Sequence, residues 1–226
     1  MNLIEPNSII ETTHRINDAF HAQSKLSSTD RAAAAKFIAA RQGLPGSYAD
    51  AFAGFDHEVA QIRLYTGERI ESASARHILG QECCRALRLL DSPAGKAALE
   101  RADAGLSAAL NRSADNKFGR NAGTFCCGKC TIGMWRNVLA GGFDRREERI
   151  AMGLKYLKSR RDTKGGWSRF PFWYTVLALA EIDLPEATSE LRYARARIER
   201  AAIRDDAKDD YARRRTEVAK RSAARI

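Results

Sequence analysis

Apolar residues recur at helical spacing along nearly the whole chain, and no stretch alternates with period two. The pattern predicts an all-α protein. Residues 1–27 are polar and poorly periodic and read as an irregular arm. Asp30 is a candidate cap for a helix through Ala32–Ala35, Phe37 and Ile38 to Gln42, which Gly43-Leu44-Pro45-Gly46 ends. Short helical segments are expected around 48–54 and 57–65. From Ala73 to Leu90, the residues Leu79, Cys83, Ala86, Leu87 and Leu90 share one buried face. Ser92-Pro93 opens the next helix, with Leu99, Ala102, Leu106 and Leu110 inward. A glycine- and cysteine-rich loop at 119–130 leads into a helix carrying Ile132, Trp135, Val138 and Leu139. Asp144 with Glu147 reads as a capping box for a helix with Ile150, Leu154 and Leu157. Pro171 suits a helix start, with Phe172, Val176 and Leu179 on its inner face. Pro185 starts a last helix holding Leu191, Ala194 and Ile198. Beyond Arg204 the chain is charged on every face, so it is expected to project from the body or to pack only in an assembly. Three units result: an irregular arm 1–29, a helical repeat domain 30–184 and a charged C-terminal helix or tail 185–226.

Length and composition narrow this picture. The 226 residues, 44% hydrophobic, suffice for a buried core without disulfide or metal staples. There is no run of eighteen apolar residues, and the start lacks a basic stretch followed by an apolar one. Neither a membrane span nor a secretory signal is therefore expected. Five cysteines, an odd number, fit reduced thiols in a cytoplasmic protein. The net charge of +10 is unevenly spread: residues 111–170 hold fourteen Lys and Arg against five Asp and Glu. That block and the tail are candidates for weak, non-specific nucleic-acid or other polyanion binding. A solvated Lys/Arg-rich face is the simpler reading, since no groove-reading motif accompanies the charge.

Two places share one grammar, apolar-x3-Gln/Arg-x3-Gly-x-aromatic. The first is Ile38, Gln42, Gly46 and Tyr48; the other is Leu157, Arg161, Gly165 and Trp167. A degenerate middle copy spans Leu110 to Gly119. The glycine lets the chain reverse, the aromatic closes over the turn, and the long polar side chain bonds free helix-end groups. Three unrelated helix hairpins are the competing reading. The motifs Gln42-x3-Gly46-x-Tyr48 and Gly165-x-Trp167, followed by FPFWYTVLALAEI at 170–182, resemble the QW repeats of the α/α toroids of squalene cyclases and protein prenyltransferases. The likeness covers roughly residues 30–182. It implies a partial ring of helix pairs around a cavity. The dense aromatics Trp167, Phe172, Trp173 and Tyr174 read first as core packing, with a hydrophobic cavity wall as the functional alternative. Arg161 and Tyr48 depart from the family's glutamine and tryptophan, and its Asp-x-Asp-Asp site has no counterpart within 30–182. Only the scaffold is carried over, and an open ring implies self-association or a protein partner.

The cysteines carry the candidate chemistry. Cys127 and Cys130 form a C-x2-C knuckle at a glycine turn before a helix, a spacing that lets two thiolates converge on one ion. His77 and Cys84 share a helix face about 10 Å apart along the axis. Either Cys84 with His77, or Cys84 with Cys126, would complete four ligands around zinc or another thiolate-binding metal. Cys83 falls on the apolar stripe and reads as core. Two alternatives stand beside the metal: a redox or nucleophilic dithiol near Lys129, and buried structural cysteines. The chain thus reads first as a helical binding or scaffold protein with a cysteine-based structural metal site. Second comes a small toroid-type enzyme working on a hydrophobic or peptide ligand through a cysteine-bound metal or a reactive thiol. A polyanion-binding module is third. No Walker loop, dinucleotide fingerprint, Gly-x-Ser-x-Gly or His-Glu-x-x-His is present.

Overall fold

A computed structural model describes residues 2–70, 73–114, 123–203 and 208–226. They form an all-α protein. The helices are α1 (Ile9–His21), α2 (Ser28–Ala39), α3 (Asp56–Val59), α4 (Ser74–Leu90), α5 (Lys96–Ala114), α6 (Gly128–Leu139), α7 (Arg146–Lys158), α8 (Phe172–Glu181), α9 (Pro185–Tyr193), α10 (Arg195–Ala202) and α11 (Asp210–Ala223). Among the described residues the only β pairing is in isolated bridges at turns. Helices α4 and α6 form the central pair. Around it, α1, α2 and α5 pack on α4, while α7 and α8 pack on α6.

The stripes read from the sequence face the core on α4, α5, α6 and α8, although Leu99, Leu139 and Phe172 are only partly buried against it. Leu79, Cys83, Ala86 and Leu90 are fully enclosed, as are Ile132, Trp135 and Val138. Apolar area removed from water at these positions is the main drive for the central pair.

Several elements differ from the sequence reading. Residues 1–27 are not an irregular arm, because α1 lies there with its N-cap Ser8 accepting from Glu11 N–H. Its buried face includes Thr12, Thr13, His14 and Asn17, so polar residues hide the apolar period. Segment 48–54 forms no helix, and only the single turn α3 lies in 57–65. Ser27, not Asp30, caps α2. Asp144 forms no capping box: Arg145 occupies the N-cap of α7 in the left-handed region, and the Asp144 carboxylate pairs with Arg149 instead. Pro171 sits one residue before its helix, and Glu68 accepts from the free N–H groups of Trp173 and Tyr174.

The tail does not project. Helix α11 packs on α8 and α10 and buries Arg214, Val218, Ala219 and Ser222. Arg214 is tied to Asp18 at 2.8 Å and to Glu11 at 3.3 Å, both on α1. A charged face is therefore buried here, because opposite charges from another element meet it.

Two arginines and two glutamates are enclosed where α1, α4, α6 and α8 meet. Arg136 donates to Glu82 at 2.6 Å, to Glu181 at 3.2 Å and to Asn17 at 2.8 Å. Arg85 donates to Glu181 at 3.1 Å and to the Arg136 carbonyl at 3.1 Å. Tyr174 also bonds Glu82. The group is charge-balanced, which is what permits its burial. Burial alone would raise the Glu181 carboxyl; Arg136 and Arg85 overcome it and hold it down to about 2.

The turns at both repeat motifs reverse through left-handed glycines, Gly46 (φ 89°) and Gly165 (φ 72°). Arg161 bridges to Trp167, and both side chains bond the Glu190 carboxylate, at 2.9 and 2.8 Å. In the first motif Gln42 bridges to the buried Phe52, while Tyr48 turns toward His77. The end of the middle copy lies outside the described residues.

Candidate metal centre

The site forms where the N-terminal ends of α4 and α6 meet. His77 lies in the first turn of α4, and Cys127 is the N-cap of α6. Gly128 at the start of α6 lets the turn at Arg169 approach closely, since a Cβ there would fall 2.2 Å from the Arg169 carbonyl oxygen. Two helix N-termini beside one group of thiols favour the thiolate form.

His77, Cys126 and Cys130 offer ligand atoms that all lie within 4.8 Å of one another. The His77 Nδ1 is 3.1 Å from Cys126 Sγ and 3.6 Å from Cys130 Sγ. Zinc–ligand bonds of about 2.0–2.1 Å to nitrogen and 2.3 Å to sulfur give tetrahedral edges of about 3.6 Å (N–S) and 3.8 Å (S–S). The two observed N–S spacings, 3.1 and 3.6 Å, lie within about 0.5 Å of the N–S edge. Cys127 is exposed and lies outside this trio, yet its sulfur interacts with Cys126 and Cys130 and sits 3.6 Å from Ser74 Oγ.

The electrostatics suit a ligand set. Burial pushes the His77 imidazole below its usual pKa, against the pull of negative charge at Cys127, so it stays neutral and able to ligate. Hydrogen bonds from Cys126 and Cys130 hold the Cys127 thiol far below the usual range. The same contacts, with burial, push Cys130 up. One thiolate is thus already favoured without metal, and further protons would leave on binding. Tyr48 packs 3.9 Å from the His77 ring and Phe125 5.4 Å from it, fixing the imidazole's orientation.

Cys84 is not brought to this group. It is fully buried, beside Arg88 and Asp103, and burial raises its thiol well above the usual value. Two helical turns separate it from His77, a distance the side chains do not close. Cys83 is likewise enclosed in the core. Zinc ligation by Cys84 has no geometric support; the other four residues named from the sequence do lie together.

The four aromatic positions considered for a cavity wall play packing roles. Trp167 and Tyr174 are buried with their polar tips on Glu190 and Glu82. Phe172 stacks on Trp167 and meets Trp173 edge-on at 4.9 Å. A cavity of about 360 Å³ opens instead against the thiols, lined by Cys126, Cys127, Tyr156, Arg160, Arg169 and Phe170 among others. The sequence reading missed Ser74, Tyr156, Arg160 and Arg169. Only membership of the basic block marked the two arginines.

No family model, curated protein or solved structure matches the chain. The described helices include none long and apolar enough to cross a membrane.

Proposed function

We propose that this is a cytoplasmic helical-repeat binding or scaffold protein organised around a structural zinc centre. The ligands are His77, Cys126 and Cys130, with Cys127 as the fourth. The observation that carries the reading is the convergence of an imidazole nitrogen and two sulfurs within 4.8 Å of one another, with both N–S spacings close to a tetrahedral edge. A bound ion would cross-link the start of α4 to the 123–130 loop and α6, so metal binding and folding would be linked. The left-handed glycines at both repeat turns support a partial α/α toroid as the scaffold. In this reading the protein works through self-association or a protein partner. Phe20 and Ile203, 50% and 84% exposed, are apolar side chains such a contact would cover.

The test is metal analysis of the purified full chain, with cobalt substitution to report thiolate coordination. One zinc per chain is expected. It should be lost from His77→Ala, Cys126→Ser and Cys130→Ser, and retained in Cys84→Ser. Chelation should lower the melting temperature. Protein that takes up no zinc or cobalt under reducing conditions would refute the centre.

A second reading rests on Cys127. Its thiol is exposed and held toward the thiolate at a helix N-terminus, the setting of a reactive nucleophile. A small enzyme using this thiol, or a metal held by it, would act on a ligand in the adjoining cavity. Fast, selective alkylation of Cys127 in metal-free protein would favour it.

A further inference from the structure

The cavity beside the thiols has a chemistry that a purely structural metal site does not need. Its walls carry Arg160 and Arg169 but no Asp or Glu, and among the described residues neither arginine has a carboxylate within 4.0 Å. Arginines elsewhere in the fold, such as Arg136, Arg149, Arg161 and Arg214, are matched by acids. Arg160 is held against the wall, donating to Tyr156 Oη at 2.7 Å with its guanidinium 4.8 Å from that ring. Arg169 adopts a left-handed backbone (φ 67°), a conformation that is strained for a non-glycine residue. Its carbonyl seats the start of α6, so the turn carrying Arg169 is fixed to the thiol-bearing helix.

We propose that this cavity binds a small molecule with one oxyanion group, a carboxylate or phosphate ester, on a flat apolar body. Arg160 and Arg169 take the oxyanion, with Ser168 also among the lining residues. Tyr156 and Phe170, with ring centroids 6.2 Å apart, and Phe125 supply the apolar surface. Two guanidiniums with no carboxylate among the lining residues favour an anionic head group. A volume of about 360 Å³ lies near the low end for ligand pockets, about 300–1,000 Å³, and fits one ring with its head group. The inference takes the proposed centre as the cavity's back wall and in that respect rests on the metal reading.

The experiment is calorimetric titration of the full chain, at known metal content, with benzoate, phenyl phosphate and the uncharged benzyl alcohol. At least one anion should bind, and benzyl alcohol should bind at least tenfold more weakly. Arg160→Gln and Arg169→Gln should each weaken anion binding at least tenfold with metal content unchanged. Arg169→Gly relieves the left-handed backbone while removing the charge, so it separates lost binding from lost folding. Arg145→Gln, in the same basic block but outside the cavity, should bind as the parent does. Metal-loaded protein that binds neither anion, or binds them equally well without both arginines, overturns the proposal and leaves the centre standing. Arginine-dependent binding by a chain that takes no metal supports the anion pocket and removes the centre as its wall.

Discussion

Replacing Arg136 by methionine tests whether the enclosed charges, rather than apolar area alone, set the register of the central helices. Arg136 is fully buried and is the ion-pair partner of Glu82, while Glu181 also has Arg85. Three charge-assisted contacts disappear together, to Glu82, Glu181 and Asn17. Taken singly, such bonds contribute about 1.5–3 kcal/mol each, but they share one guanidinium and do not add. The governing effect is that the buried Glu82 keeps its Tyr174 bond but loses its ion-pair partner, which costs about 3–5 kcal/mol. At about 2–4 °C per kcal/mol for a chain of this size, the melting temperature should fall by about 6–20 °C. Urea denaturation followed by far-UV circular dichroism measures the loss. Adding Glu82→Gln restores charge balance, leaving Arg85 on Glu181 and an amide oxygen for Tyr174, so the double variant should be more stable than Arg136→Met alone. A loss below about 1 kcal/mol, or a double variant less stable than the single one, would refute the account of a charge-balanced core.

Acid should destabilise the fold in a defined window. Burial pushes the His21 imidazole from 6.5 to about 3, so the unfolded chain binds the proton more readily and stability falls as pH drops from about 6.5 toward 3. The full term is on the order of 4–5 kcal/mol, and Glu181 adds a loss in the same direction as pH falls below 4.5. A His21→Phe variant with the same acid dependence between pH 6.5 and 4.5 would count against this assignment. Gly153→Ala places a methyl 2.5 Å from the Trp135 ring and should cost about 1–3 kcal/mol by overpacking α6 against α7; a melting curve unchanged from the parent would show a looser contact. Nucleic-acid binding through the 111–170 block should be weak and fall steeply with salt in a filter or anisotropy assay. A salt-resistant, sequence-specific complex would instead point to base-reading contacts.

Periodicity alone was sufficient for the all-α class and for the inward faces of α4, α5 and α6, because burying a stripe at i, i+3 and i+4 is a local consequence of helix geometry. Residue type and spacing also singled out the Cys126–Cys130 loop and His77, since ligand types at a turn before a helix are visible without a fold. Periodicity misread α1 and α11, whose buried faces are polar. Asn17 and Arg214 look like surface residues until Arg85, Arg136 and Asp18 arrive from other segments. The same holds for the ligand set: in one dimension Cys84 belongs with Cys127 and Cys130, and His77 and Cys126 compete for the fourth place. The meeting of the two helix N-termini brings Cys126 within 3.1 Å of His77 and leaves Cys84 two turns down α4 against Asp103. Apolar burial is decided by each helix's own spacing. Charge pairing and metal geometry are decided by which distant segments meet, and only the tertiary structure holds that information.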